Sequence, residues 1–182
     1  MDFSLQPILQ NEKVILYPLQ EKDFEPLYQV ASDPRIWEQH PNKDRWKREV
    51  FQTFFEGALQ SGGAFIIVDK ATDTYIGSTR FYSHDPKEDS ILIGYTFYAV
   101  DYWGKGYNPA VKTLMLDYIF QYVSSVIFHI GAENYRSQVA IPAWGAKRSG
   151  SCRWSISAKR PNSILYIEST GKAGKPYKTK HM

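Results

Sequence analysis

At 182 residues the chain suits one domain with a core of its own and is short for two. Its 43% hydrophobic content and plentiful aromatics (5 Trp, 13 Tyr, 10 Phe) read as globular, and no apolar run approaches membrane-spanning length, so no membrane partner is expected. The net charge of +3 hides an asymmetry: residues 147–182 hold nine Lys/Arg against the single acid Glu168, a balance of +8, and residues 1–146 balance at −5.

The lone cysteine, Cys152, excludes an internal disulfide and fits a cytoplasmic setting. Nothing near it suggests a base to activate a thiol nucleophile. The N-terminus lacks a basic-then-apolar targeting pattern. No His, Cys, Asp and Glu cluster has metal-ligand spacing, so no metal is expected.

In chain order, Lys13 to Leu19 reads as a strand through Val14, Ile15, Leu16 and Tyr17. Asp23 reads as the cap of a helix whose face is Phe24, Leu27, Tyr28 and Ala31, and Asp33-Pro34 ends it. Arg35 to Arg45 reads as a loop, with Trp37 either anchoring it or serving a site. A second helix from Trp46 to Gln60 turns Phe51, Phe54, Phe55, Ala58 and Leu59 inward and stops at Gly62-Gly63. Three strands then follow as a meander: Ala64 to Val68, Thr74 to Tyr82 and Ser90 to Ala99. Gly77 marks a bulge or a close backbone approach.

The third of these strands leads into Asp101-Tyr102-Trp103-Gly104-Lys105-Gly106-Tyr107-Asn108-Pro109. A helix follows, with Val111, Leu114, Met115, Tyr118, Ile119 and Tyr122 spaced three and four apart. Two glycines between a strand and a helix start let the backbone turn tightly and approach a ligand. The helix N-terminus adds unpaired N–H groups and a partial positive charge, which suit a phosphate. The glycine pair alone is weak evidence, since ordinary turns share it. It is not a P-loop, and the third glycine of a dinucleotide fingerprint is missing. Ser125 to Ile130 reads as a buried strand, parallel to the third through a right-handed crossover. Two such strands that splay apart open a slot at their C-terminal ends.

The full string Trp103 to Pro109 closely resembles the acetyl-CoA loop of the GCN5-related N-acetyltransferases (GNAT), in the branch containing the ribosomal-protein N-terminal acetyltransferases. The resemblance runs from about residue 10 to 147. It implies an α+β fold: a mostly antiparallel central sheet with one splayed parallel pair, flanked by helices. It also implies acetyl transfer from acetyl-CoA to a primary amine, either a protein N-terminus or a small molecule. Backbone groups of Trp103, Gly104, Lys105, Gly106, Tyr107 and Asn108 would hold the pyrophosphate, and Thr96, Phe97 and Tyr98 would pair with the pantetheine arm. The wider family has Gln or Arg where this chain has Asp101, which is therefore expected to point away.

Asn134-x-x-Ser137 has two readings: locally it is a helix cap, and in the family the asparagine contacts pantetheine while the serine sits near the thiol. The family's tyrosine seven residues after that asparagine is Ile141 here, so Ser137 or a water would protonate the leaving thiolate. Candidates to take the amine proton are His40 and Glu38 on the acceptor side, then His84 and Asp85.

Past Lys147 the resemblance ends, where the charge balance changes. Residues 1–147 read as the acetyltransferase domain and 148–182 as an atypical basic tail in place of the family's closing hairpin. Pro142 would cost about 3 kcal/mol inside a continuing helix. Codons allowed for Arg153 to Gly174, read from the third nucleotide, can spell an alternating stretch that resembles that hairpin, so a frame shift in the gene is the favoured source. A divergent tail is the alternative. As it stands, Trp154 and Ile156 alternate with serines and could form a makeshift hairpin strand, and Gly171 to Met182 reads as disordered. Two other functions stay in view. One is a CoA-binding fold with impaired catalysis; the other is nucleic-acid binding through the tail, weakened by its scattered charges. The oligomeric expectation is a monomer or homodimer.

Overall fold

The computed structural model describes residues 3–130, 134–140, 147–148 and 153–157. Expectations for Cys152, for the helix beyond Ala140 with Ile141 and Pro142, and for the chain after Ser157 lie outside the described residues.

The elements run β1 (Leu9–Gln10), β2 (Val14–Pro18), α1 (Phe24–Ala31), α2 (Arg48–Gln60), β3 (Ala64–Asp69), β4 (Thr74–Asp85) and β5 (Ser90–Tyr98), then α3 (Tyr107–Ile119), β6 (Ser125–His129), α4 (Tyr135–Ala140), β7 (Lys147–Arg148) and β8 (Arg153–Ser157). They form one sheet in the order β1-β2-β3-β4-β5-β6-β8-β7. Every neighbouring pair is antiparallel except β5 and β6, which are parallel across the α3 crossover. This is the mixed α+β architecture expected. No helix among the described residues is long and apolar enough to cross a membrane.

β3 is buried along its whole length, as a central strand covered on both faces must be. One face packs on α3, where Phe65, Ile67, Phe81, Ile91, Ile93 and Met115 meet. The other packs on α1 and α2, where Leu27, Phe51, Phe55, Ile66, Val68 and Phe97 meet. Gly62 closes α2 at φ +61, in the left-handed region that glycine adopts without penalty.

Several details differ from the sequence expectation. Asp23 does not cap α1 with its side chain. Its buried carboxylate accepts from the Gln20 N–H at 2.7 Å and the Tyr75 hydroxyl at 3.0 Å, locking the turn before the helix onto β4. β4 runs past Tyr82 to Asp85, because a bulge at Ser83 (φ +50) lets pairing resume at Asp85–Ser90. The inward face of α3 is Val111, Lys112, Met115, Leu116 and Ile119. Tyr122 lies beyond the helix end and is exposed, stacked on Phe3 with ring centroids 4.7 Å apart.

Gly77 is a close approach: a Cβ there would sit 2.0 Å from the Phe97 carbonyl oxygen. The β3–β4 register also shifts beside it, between Ile67 and Val68. β8 pairs with β6 from Ser125–Ser157 to His129–Arg153, and Ile156 is buried in the α3-side core.

Candidate active site

The parallel ladder between β5 and β6 is short. It pairs Ser90 with Ser125, Ile91 with Val126 and Leu92 with Ile127, and then stops. β5 nevertheless continues to Tyr98, held on its other side by β4. From Ile93 onward its β6-facing edge is therefore unladdered, and the strands part on the side where the glycine loop begins.

Within that stretch β5 carries a bulge. Ser78 pairs with Phe97 and Arg80 with Gly94, so Thr79 faces both Tyr95 and Thr96. Tyr95 takes the extra position at φ +53. A bulky side chain there costs about 1–2 kcal/mol, and such strain gathers at functional sites. The bulge sends Tyr95 and Phe97 to the α2 face, where both meet the Phe54 ring at 6.1 Å. It sends Thr96 to the α3 face.

There Thr96 meets a residue that sequence reading missed. Lys112 on α3 is only 3% exposed. Its ammonium donates to Thr96 Oγ1 at 2.7 Å and Thr79 Oγ1 at 3.1 Å, and the two hydroxyls are 2.8 Å apart. Burial pushes the Lys112 amine down to about 7. Helical periodicity gave no hint of this, because a lysine among apolar residues reads as outward-facing.

The loop after β5 turns through Val100–Tyr102 and then Gly104 (φ +71) and Gly106 (φ +79). Gly106 caps α3 in the left-handed conformation, and among the described residues its side of the helix start has no side-chain cap for the first N–H groups. A Cβ on Gly104 would meet nothing within 4 Å, so the space above the loop is open. The loop is tied down from three sides. Lys13 Nζ donates to the Lys105 carbonyl at 2.7 Å and lies 4.5 Å over the Tyr107 ring. The Trp103 indole donates to the Tyr98 carbonyl at 3.0 Å, and the Tyr98 hydroxyl donates to Asn108 Oδ1 at 3.3 Å. The Trp103 bond engages the Tyr98 carbonyl, one of the groups on this strand expected to pair with an extended ligand. Asp101 is exposed.

Asn134 Oδ1 accepts from the Ser137 N–H at 3.2 Å, so the asparagine caps α4 in the described structure. Among the described residues its side-chain amide N–H groups make no hydrogen bond. Ser137 is half-buried.

On the α2 face, Trp37 anchors its loop: the indole donates to the Ala31 carbonyl at 2.8 Å and its ring packs on Phe97 at 5.1 Å. His40 packs edge-on against Trp37. Its Nε2 accepts from Arg45 Nη1 at 3.1 Å, which leaves the proton on Nδ1, 3.3 Å from the Asn42 carbonyl oxygen. Burial and the Arg45 charge push His40 down to about 4, so it is neutral near pH 7. Glu38 is exposed. His84 and Asp85 lie at the far end of β5 from the loop, where Asp85 pairs with Ser90. His84 packs there on Phe3, and Asp85 caps the turn by accepting from the Lys87 and Glu88 N–H groups. That separation removes both from the candidate bases. Among the described residues no group of His, Cys, Asp or Glu could hold a metal.

The model of the acetyltransferase (GNAT) domain family matches residues 13–147. Solved structures share the fold. A GCN5-related N-acetyltransferase from Brucella melitensis superposes with a TM-score of 0.74 at 18% identity, over 84% of this chain and 79% of its own. A GNAT-family acetyltransferase from Bacillus anthracis gives 0.71 at 18% identity, over 83% and 98%. The spermidine N-acetyltransferase from Vibrio cholerae, solved with CoA and spermine, gives 0.65 at 15% identity, over 81% and 96%. With most of its length matched by the family model and its parted β5–β6 pair leading into the glycine loop, the chain belongs to the GNAT acetyltransferase family.

Proposed function

We propose that this protein transfers an acetyl group from acetyl-CoA to a primary amine. One juxtaposition carries the reading: the β5–β6 ladder stops at Leu92–Ile127, beside a loop whose Gly104 and Gly106 both sit at positive φ ahead of α3. An extended thioester ligand with a pyrophosphate needs both features, an unladdered edge for its arm and a cluster of N–H donors for its phosphates. The CoA found in the Vibrio cholerae enzyme of the same fold supports the choice of ligand.

Backbone amides from Trp103 to Asn108 bind the pyrophosphate, and the strand end at Thr96, Phe97 and Tyr98 aligns the arm. Acetyl-CoA, once bound, supplies a thioester carbonyl open to direct attack by a neutral amine. A backbone N–H of bulged β5 stabilises the charge that develops on that carbonyl. Asn134 holds the arm from the β6 side, and Ser137, or a water beside it, returns a proton to the departing sulfur. Glu38, exposed on the α2 side, or His40 once Arg45 releases its Nε2, relays the amine proton.

The chain is further read as a member of the branch containing the ribosomal-protein N-terminal acetyltransferases, acting in the cytoplasm. Residues 148–182 are read as a substituted tail from a frame shift. The end of the family match at residue 147 and the charge break at the same place support that reading. Ile141 in place of the family's tyrosine favours a second reading, a CoA-binding fold with slow turnover. A screen of amines that follows free CoA release, paired with calorimetry of CoA binding, decides between them. Binding with turnover supports the enzyme, binding without turnover supports the impaired fold, and no binding overturns both.

A further inference from the structure

The α2 face of the bulge carries two cations that acetyl transfer itself does not require. Arg80 on β4 is 6% exposed. Its Nη1 donates to the Gly57 carbonyl on α2 at 3.2 Å, while Nε and Nη2 are buried without a hydrogen-bond partner among the described residues. Its guanidinium lies 4.0 Å from the ring centre of Tyr95, the bulged residue itself. Arg45, in the turn before α2, lies 4.6 Å over the Phe54 ring, and Arg80 lies 5.6 Å from the same ring. Two like charges thus share one aromatic side chain. Among the described residues neither forms an ion pair with a carboxylate.

An uncompensated buried charge is costly, and a like-charged neighbour adds to the cost. Aromatic faces offset part of that cost but do not replace hydrogen-bond acceptors in the guanidinium plane. Burial lowers both guanidiniums, and Arg80's proximity helps bring Arg45 down to about 10; a guanidinium stays charged at neutral pH. What this arrangement lacks is a planar anion. A carboxylate accepts a guanidinium's parallel N–H groups in pairs. The CoA phosphates do not fill the need, since they are assigned to the glycine loop past Tyr98.

We propose that the acceptor is a small primary amine that also carries a carboxylate, held by Arg80 and Arg45 on the α2 face of the β5 bulge. The inference rests on the acetyl-transfer reading above and narrows its acceptor. It also separates this site from one built for a polyamine, which two guanidiniums would repel. Arg80 reaches the anion through its unpartnered Nε and Nη2, with Tyr95 as the side chain that yields.

The test uses the full chain with saturating acetyl-CoA and follows CoA release. The acceptors are the common amino acids, their methyl esters, and spermidine. At least one free amino acid should be turned over with kcat/KM ten-fold or more above its own ester and above spermidine. Arg80→Gln, and independently Arg45→Gln, should raise KM for that acid at least ten-fold and bring the acid-to-ester ratio towards one, with CoA affinity by calorimetry unchanged. Esters or spermidine used as well as the acids would overturn the inference, as would a protein that binds CoA yet turns over no acid. Unchanged acid KM in both variants would do the same. Failure to bind CoA at all would overturn the acetyl-transfer reading together with this one.

Discussion

Lys112 and Thr96 are joined across the α3–β5 interface by a 2.7 Å hydrogen bond from the ammonium to the hydroxyl. The bond ties the second turn of α3 to the bulge in β5, so the helix carrying the loop amides and the strand carrying the unladdered edge are fixed relative to each other. Thr79 completes the arrangement from β4. A buried, hydrogen-bonded polar cluster of this kind favours one packing over its neighbours.

This cluster predicts a pH dependence of stability. The Lys112 amine lies near 7 in the folded protein, against an ordinary value of 10.5. Between those values the unfolded chain binds the proton that the folded chain has released. Stability therefore rises with pH across that window, by at most about 1.4 kcal/mol per pH unit from this group. Below pH 7 the group is protonated in both states and adds no slope. Thermal melts at pH 7, 8 and 9 should show the rise in the wild type and its loss in Lys112→Met. Parallel curves for the two proteins would mean that the amine is not depressed.

The glycine loop should fail for a backbone reason as well as a spatial one. Gly106 sits at φ +79, and a Cβ there would approach only Lys13 Nζ at 3.7 Å. Gly106→Val should nevertheless lose at least ten-fold in CoA affinity, because a β-branched residue resists positive φ and would re-aim the first amides of α3. At Gly104 the added side chain would enter the open space above the loop. Gly104→Val should weaken CoA by occupation. Calorimetry showing wild-type affinity in either variant would remove that glycine from the site.

Asn134→Ala should weaken CoA by about 1 kcal/mol, one net hydrogen bond. It also removes the acceptor for the Ser137 N–H, so some loss of order in α4 should accompany it. Ser137→Ala keeps the backbone bond and tests the hydroxyl alone. Turnover should fall several-fold with CoA affinity retained, and equal rates would leave Ser137 with only its place in the helix.

β8 should matter to stability despite the composition of the tail. Ile156 is buried against the α3-side core on a strand whose only described sheet neighbours are β6 and β7. Ile156→Ala should cost about 2–4 kcal/mol in a denaturant melt. An unchanged midpoint would mean that β8 does not stay paired in solution.

A chain with the reading frame restored after Lys147 should melt higher than the present one, since the restored stretch alternates and contains a turn where the present tail is basic and scattered. Re-sequencing the gene checks the cause. Genomic codons that give Arg153 to Lys175 as they stand, with no hairpin-like alternate frame, would require a role for the tail as written.

Much of the fold was legible because its signals are local. The apolar run of β3, the inner face of α2 ending at Gly62-Gly63, and the strand–glycine–helix order around Gly104 and Gly106 each depend on a few adjacent residues. Strand ends were less legible. A bulge such as Ser83 leaves no mark on alternation until its partner strand is known. β1, only two residues long, exists because β2 offers it an edge, and its own sequence does not announce it.

By itself the sequence determined the order of the elements, the loop and the family, because spacing and glycine placement act over a few residues and need no partner. Only the tertiary structure decided which polar side chains are inside. Arg80 and Arg45 share the Phe54 ring although they come from β4 and from the turn before α2. Lys112, in an apolar helix register, is buried because Thr79 and Thr96 offer it oxygen from two strands that meet only when the sheet forms. Tyr95 takes a positive φ that nothing in its neighbours requires, because the β4–β5 register leaves one residue over at that point. Charges survive burial through contacts between segments far apart in the chain, and those contacts come into being with the packing.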